Sequence, residues 1–366
     1  MPKYKVAIIG STGRGDYGHG LDAVWQNFDD CDVVAVADQD EAGLLKAVAR
    51  TGASKSYRDY REMLEKEHPQ IVAVCPRWTD QHLDMALACA DAGCHMYMEK
   101  PFCRTLGEAD EIIRACEMRH LKLAVAHISR YSPQLDVIRK LIQAGEIGDV
   151  LEIRTRGKED ARGGAEDLWV LGTHVLDLMR AFGGEPESCY ASMYQKGQRV
   201  TGEHIQPGNE GLGPLTGDRV DAMYHFQSGI TGYFSSQKAA GGNPNRFGLR
   251  IYGSKGMIDH TSGYANPAFL MKDAQWGLSR DAGSWKPITS AGVDQPEPIT
   301  ATGYAGGNPA AARDLIDAIE KDHQPKCSMY QARGAIEMVL AVFESHRLNA
   351  PVTMPLDCKD NPLSRL

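Results

Sequence analysis

The chain has 366 residues, of which 42% are hydrophobic and 24% charged, with a formal net charge of −8. That length exceeds what one hydrophobic core usually serves, so two domains are expected. The negative balance argues against a nucleic-acid or anionic-membrane partner, both of which need concentrated Lys and Arg.

The start, MPKYKVAIIGSTG, runs from charge into a short apolar stretch that ends in glycine, unlike a secretory signal. No apolar run approaches the roughly 20 residues of a membrane span, so a cytoplasmic protein is expected. Nine cysteines lie scattered without a CxxC pair, a pattern that predicts reduced, structural thiols and no zinc or other metal site.

From Lys3 to Ala126 apolar strands alternate with helices. Strands are expected at Val6–Ile9, Val33–Ala37, Ile71–Cys75, His95–Met98 and Leu123–His127. Helices are expected at Leu21–Phe28, Glu41–Thr51, His82–Ala92 and Leu106–His120. Strands that are apolar throughout and separated by helices imply a parallel sheet covered on both faces, a Rossmann dinucleotide-binding domain over residues 1–128.

After Tyr131 the pattern changes. A helix is predicted over Pro133–Ala144, followed by strands at Val150–Arg156, Ser188–Gln195, Arg219–Gln227, Ile230–Ser236 and Leu249–Tyr252. Val220, Ala222, Tyr224 and Phe226 share one face, and Arg219, Asp221, Met223 and His225 the other. That period of two marks an antiparallel sheet with one buried face. Helices at His174–Phe182, Pro309–Glu320 and Met329–Arg347 are expected to cover it. Residues 129–366 therefore read as an α+β domain with a large, mostly antiparallel open sheet and helices on one face. Gly197–Gly217 and Met271–Gly307 lack regular pattern, which for loops of such length points to lids or interface arms.

The turn after the first strand reads Gly10-Ser11-Thr12-Gly13-Arg14-Gly15, with Thr12 where G-x-G-x-x-G has its middle glycine and Gly13 able to take that role in a shifted turn. Glycines there let the backbone approach a pyrophosphate, and a helix N-terminus would offer it N–H groups. The alternative is a merely flexible glycine-rich loop. Asp38 ends the second strand, where an acidic residue accepts hydrogen bonds from both ribose hydroxyls of NAD and repels the 2′-phosphate of NADP; a simple helix cap is the other reading. Together they predict NAD in preference to NADP.

Met98-Glu99-Lys100-Pro101 stands at the end of the fourth predicted strand. A Lys there can hydrogen-bond a substrate hydroxyl and stabilise developing alkoxide charge. Glu99 can hold a cofactor ribose or the Lys.

Glu99-Lys100-Pro101 after a Rossmann half resembles the glucose–fructose oxidoreductase/inositol dehydrogenase/MocA-like family, and the resemblance runs nearly end to end. Cys75-Pro76, with Arg77 and His82 following, resembles the family's third-strand cofactor turn. Arg130-Tyr131-Ser132-Pro133 resembles its domain crossover, Gly145-Glu146-Ile147-Gly148 its entry into the C-terminal sheet, and Tyr252-Gly253-Ser254-Lys255-Gly256 its late hairpin. Glu344-Ser345 and Pro351–Pro355 resemble its closing segment. Gly172-Thr173-His174-Val175-Leu176-Asp177 matches part of the family's Asp-x-x-x-His-x-x-Asp helix.

The resemblance implies oxidation of a secondary hydroxyl of a sugar, polyol or sugar derivative, or reduction of the matching ketone. Lys100 and His174 would be catalytic, with His174 as proton acceptor. Lys158, Arg162 and Asp177 would contact substrate. Gly10, Thr12, Gly13, Arg14, Gly15, Asp38, Cys75, Pro76, Arg77, His82, Glu99 and Lys100 would hold the cofactor. The resemblance also implies a homodimer or homotetramer paired through the outer face of the C-terminal sheet, where Tyr190, Tyr194, Met223 and Tyr233 mix with charges. Val170 stands where the family has its upstream Asp. Asp167 or Glu166 could substitute, Lys100 and His174 could suffice alone, or the chemistry could have diverged. Trp169 would offer a flat face to a sugar ring. A glycosidase or epimerase that keeps NAD bound and oxidises its substrate transiently is the alternative, and a non-catalytic NAD-binding regulator the second.

Overall fold

The computed structural model describes residues 3–242, 246–277 and 285–366. The chain forms two compact units. The first comprises Met1–His127, Asn209–Gly213 and Asn308–Ile336, and the second Ile128–Gly208, Pro214–Gly307 and Glu337–Leu366. Residues 278–284, within one of the two expected lid segments, lie outside the described residues.

The first unit is built on β1 (Tyr4–Ile9), β2 (Cys31–Ala37), α1 (Glu41–Thr51), β3 (Lys55–Tyr57), α2 (Tyr60–Glu67), β4 (Ile71–Val74), α3 (His82–Asp91), β5 (His95–Met98), α4 (Leu106–Glu117) and β6 (Leu123–Val125). Its six strands are parallel in the order β3-β2-β1-β4-β5-β6. The order reverses between β1 and β4, and the crevice beyond the carboxyl ends at such a reversal is where open α/β sheets bind ligands. Every residue of β4 is buried, as a strand covered on both faces requires.

Two elements here escaped the sequence reading. The edge strand β3 is only Lys-Ser-Tyr, too polar to register as an apolar run, and α2 has just Met63 and Leu64 as buried aliphatics. A third differs from expectation. In place of a helix over Leu21–Phe28 there is a five-residue 3₁₀ helix, Ala23–Asn27. Glycines with positive φ at 13, 15, 18 and 20 keep the preceding chain in turns. Asp22 does not cap the helix: its buried carboxylate accepts from Arg50 Nε at 2.6 Å.

The second unit contains α5 (Gln134–Gln143), β7 (Val150–Arg156), α6 (Ala165–Asp167), α7 (Thr173–Gly183), β8 (Pro186–Gln195), β9 (Gln198–Arg199), β10 (Gln206–Pro207), β11 (Pro214–Leu215), β12 (Arg219–Phe226), β13 (Thr231–Gln237), β14 (Gly248–Gly253), β15 (Gly256–Thr261), β16 (Ala268–Met271), β17 (Trp285–Thr289) and β18 (Gly292–Val293). Then come α8 (Gly303–Lys321), α9 (Met329–Leu348) and β19 (Val352–Thr353). The large sheet runs β18-β17-β16-β15-β14-β7-β13-β12-β8-β19, with β9 beside β8. Its pairs are antiparallel except β13 with β7.

The alternation read from β12 holds. Val220, Ala222, Tyr224 and Phe226 are buried, while Arg219 and His225 are exposed. On the opposite face Tyr190, Met223, Tyr233 and Arg154 stand in one cross-strand row. α7 packs against β7, β13 and β14. α8 from Asn308 onward and α9 as far as Ile336 belong to the first unit, so the expected cover of the C-terminal sheet by Pro309–Glu320 is not what forms. The nine cysteines are free thiols, most of them buried.

Candidate active site

The glycine-rich turn after β1 folds into a small hairpin of its own, bridged between Ser11 and Asp16. Ser11 N donates to Asp16 O at 3.1 Å, while Arg14 N and Asp16 N both donate to Ser11 O at 3.0 Å. Gly13 N donates to the Asp16 carboxylate at 2.9 Å, and Thr12 N to that of Asp38. Tyr17 folds its ring over Gly10, where any Cβ would collide with it, and the Arg50 guanidinium carbon lies 4.9 Å from the ring centroid. Burial, then the nearby Asp38 carboxylate, pushes the Tyr17 phenol up. Gly15 is obligatory for a second reason: besides its φ of +90°, a side chain there would strike the backbone of Arg77 and Trp78.

Asp38 sits at the end of β2, buried to 3% exposure. A groove beside it is lined by Gly10, Ser11, Gln39, Arg58, Tyr60 and Met85. Its place beyond β1 and β2 and its mixed apolar and polar lining suit an adenosine. Beyond β4, Cys75 is fully buried, and burial pushes its thiol up, so it serves packing. His82 is fully buried as well. Its Nε2 lies 2.7 Å from Pro76 O and its Nδ1 3.1 Å from Phe102 O. The ring thus ties the β4 turn to the β5 turn, and both nitrogens face the protein; it shapes the cofactor turn instead of touching a ligand.

Beyond β5, Glu99 is buried beneath the loop. Its Oε1 accepts from His19 N at 2.8 Å and meets His19 Nδ1 at 2.5 Å, and its Oε2 accepts from Lys100 N at 2.8 Å. Burial raises this carboxyl, but His19 and Lys100 more than offset it, so it is held below the usual range. The peptide between Lys100 and Pro101 is cis. Asn308 completes the cluster. It donates to His19 O and accepts from Tyr97 Oη, both at 2.9 Å. Sequence reasoning missed both His19 and Asn308. His19 stood in plain view within the glycine run, but Asn308 is far away in sequence and carries no local signal.

The anion site differs from the expectation of loop amides and a helix N-terminus. The amides of Ser11, Thr12, Gly13, Arg14 and Asp16 already donate within the chain, and the helix that follows is a short 3₁₀ turn. Donors remain on two guanidinium groups. Arg14 Nε and Arg77 Nε are buried atoms without a hydrogen-bond partner among the described residues. Arg14 lies in the loop and stacks on Trp78, with 4.5 Å between guanidinium carbon and ring centroid, and the Arg77 backbone packs against Gly15. Arginine forks match phosphate oxygens in geometry and charge. With the groove beside Asp38, this donor set fits a dinucleotide.

In the second unit a continuous helical stretch carries His174. Its first turn is α6, its middle a π turn over Leu168–Gly172, and its remainder α7. π turns recur at functional sites because they re-aim the residues that follow. His174 is 5% exposed and meets Phe247 edge-on, with ring centroids 6.4 Å apart. Asp177 is fully buried beside Arg130, whose Nη1 lies 3.5 Å from its carboxylate and donates to its carbonyl at 2.7 Å.

Two expectations around this helix are corrected. Asp167 does not stand in for the family's upstream Asp: its carboxylate accepts from Lys158 N, Glu159 N and the Ser236 hydroxyl, at 3.2, 2.9 and 2.5 Å. Burial raises its carboxyl against those bonds. Trp169 offers no face to a ligand, being fully buried and packed against Phe343 at 6.2 Å. Lys158 and Arg162 converge on Asp160, at 3.8 and 2.6 Å. The Arg162 guanidinium, followed by its backbone N–H, pulls the Asp160 carboxyl down to about 2 against some burial.

Comparison with known proteins follows the same division. Residues 4–127 match the model of an oxidoreductase family with an NAD-binding Rossmann fold, and residues 136–259 match the GFO/IDH/MocA C-terminal domain. The chain belongs to the GFO/IDH/MocA family. It is an oxidoreductase, and its dinucleotide is NAD. Myo-inositol 2-dehydrogenase of Thermotoga maritima is 25% identical over 258 residues, 68% of this chain and 74% of that one. Levoglucosan dehydrogenase of Pseudarthrobacter phenanthrenivorans is 27% identical over 252 residues, 62% of this chain and 63% of that one. D-apiose dehydrogenase of Paraburkholderia graminis matches over 56% of each chain at 26% identity. A solved levoglucosan dehydrogenase in complex with NADH and levoglucosan superposes with a TM-score of 0.77 over 96% of this chain and 99% of that one, at 22% identity, which shows a shared fold.

Proposed function

We propose that this GFO/IDH/MocA oxidoreductase acts on a secondary hydroxyl of a sugar, polyol or sugar derivative, or on the matching ketone. The observation that carries the reading is the buried cluster beyond β5. There Glu99 engages the Lys100 backbone and His19 at the carboxyl ends of the strands, where α/β sheets bind ligands. The names of the three relatives above, dehydrogenases of myo-inositol, levoglucosan and D-apiose, support the substrate class.

The nicotinamide supplies the hydride acceptor or donor. Lys100 holds the substrate oxygen through its ammonium and stabilises charge developing on it. His174 takes the hydroxyl proton, a role suited to an imidazole near neutral pH. Asp177 and Arg130 fix the helix that presents His174, and Lys158 and Arg162 supply polar contacts to substrate. Asp38 directs the adenosine ribose.

The protein works in the cytoplasm and assembles as a homodimer or homotetramer through the outer sheet face bearing Tyr190, Met223 and Tyr233. Among the described residues no helix is long and apolar enough to cross a membrane. Tyr190 is a large aromatic left 40% exposed on that face, in keeping with a partner surface. A monomer by light scattering at micromolar concentration would refute the assembly. A panel of sugars and polyols followed by NADH absorbance tests the activity. Turnover without net NADH, producing an epimer or a cleaved glycoside, would shift the assignment to the bound-NAD alternative.

A further inference from the structure

Arg14 and Arg77 each have a carboxylate partner whose position depends on a remote piece of chain. Arg14 pairs with Asp80. Arg77 Nε lies 3.9 Å from the carboxylate of Glu210. Glu210 belongs to Asn209–Gly213, a segment distant in sequence that forms part of the first unit. The Thr79 hydroxyl donates to Gly211 O at 3.2 Å, which fixes the segment on the turn after β4. Gly211 has a φ of +70°, and a Cβ there would stand 2.8–2.9 Å from the Asp80 carboxylate. Glycine at 211 therefore lets the segment close against the same carboxylate that holds Arg14.

We infer that Glu210, Gly211 and Asp80 are positioning residues for the dinucleotide: they hold the two guanidinium groups beside the glycine loop and so set how long the pyrophosphate is retained. The inference rests on the cofactor reading above. Its physical basis is the loop itself. With the amides of residues 11–14 already donating within the chain, an anion depends on Arg14 and Arg77 to a degree that an ordinary glycine turn does not impose. Long side chains lose much rotamer freedom when fixed, and a carboxylate partner in the free protein meets that cost before the ligand arrives. Asp80 Oδ1 is itself a buried atom without a hydrogen-bond partner among the described residues, so it is held here by its neighbours' packing and by Arg14.

The test compares wild type with Glu210→Gln, Asp80→Asn and Gly211→Ala. NADH release is followed by stopped-flow fluorescence during a chase with ADP-ribose, and adenosine affinity is measured by calorimetry. Loss of the carboxylate partner in Glu210→Gln and Asp80→Asn, and displacement of the segment in Gly211→Ala, each predict NADH release faster by about tenfold. Adenosine, which has no phosphate, should bind all four proteins alike. Unchanged NADH release in the three variants overturns the inference. So does a parallel loss of adenosine and NADH binding, because that would report a collapsed groove and a merely structural segment. A wild type that binds neither NADH nor ADP-ribose would overturn the cofactor placement itself, a different result from variants that behave as wild type.

Discussion

Thr12 and Asp38, 26 residues apart, form a two-point clasp: the Thr12 hydroxyl donates to the Asp38 carboxylate at 2.7 Å and its backbone N–H at 3.1 Å. Asp40 N donates to the same carboxylate at 3.0 Å. The charge at the end of β2 is thus fixed in place by the loop it neighbours. A carboxylate has about four acceptor sites, so acceptor capacity for a ribose hydroxyl remains on a group already oriented.

That clasp gives the first prediction. A fixed negative charge beside the adenosine groove should reject a 2′-phosphate, since juxtaposed like charges cost several kcal/mol. NADH should bind more tightly than NADPH by more than about tenfold in a fluorescence titration. Thr12→Val should weaken NADH binding and narrow the preference, because Asp38 would lose a hydroxyl partner. Equal or tighter NADPH binding by wild type would remove Asp38 from the ribose.

The second prediction concerns turnover. Lys100→Ala and His174→Ala should retain NADH binding and each lose about 100- to 10,000-fold in kcat, the usual contribution of a general acid–base group. Asp177→Asn should act more mildly, because the Arg130 contact to the Asp177 carbonyl survives the change. Near-wild-type kcat in both alanine variants on a verified substrate would eliminate the proposed roles.

The sequence disclosed the parts of the fold that rest on periodicity. α1 and β5 fall where the apolar pattern puts them, and the inward residues of β12 alternate as read. The family, the Rossmann domain and the NAD cofactor were legible from motifs in order along the chain. What stayed hidden depends on tertiary contact. The glycine run looked like a phosphate turn leading into a helix. Only the fold shows Asp16 taking the Gly13 amide and Asp22 turned toward Arg50. Glu210 and Asn308 join the first unit from 131 and 289 residues downstream of their partners Thr79 and His19, without any spacing that would announce it. Trp169 and Asp167 were misjudged because a helical position beside a motif does not reveal which face is buried.

Trp169 supplies the third prediction. A fully buried indole packed on Phe343 contributes core stability, so Trp169→Ala should lose about 3–5 kcal/mol in urea unfolding. Trp169→Phe should recover much of that. Val170→Asp, at a site only 2% exposed, would bury a carboxyl in the π turn and should also destabilise, by about 1–3 kcal/mol. If Trp169→Ala left stability intact while raising KM for a sugar, the indole would have to face the ligand after all.

The last prediction concerns pH and His260, on β15. In register its neighbours are Leu249 on β14 and Ala268 on β16, both buried. Its side chain is 1% exposed, and neither ring nitrogen has a hydrogen-bond partner among the described residues. Burial, opposed by a backbone hydrogen bond, pulls this imidazole down to about 4. In the unfolded chain a histidine titrates near about 6.5. Between those values the unfolded state binds a proton that the folded state does not. Stability must therefore rise with pH across the window, and fall as pH drops from about 6.5 toward about 4. The loss attributable to His260 should reach about 2 kcal/mol by pH 5, at 1.36 kcal/mol for each unit of separation. Burial also lowers His95 and His346, so the wild-type slope includes their share. His260→Leu isolates the effect. It removes two unpartnered polar atoms, so it should stabilise the protein at pH 7, and it should flatten the difference in urea unfolding between pH 7 and pH 5. A variant with the full wild-type pH slope would show that His260 titrates normally in the folded protein.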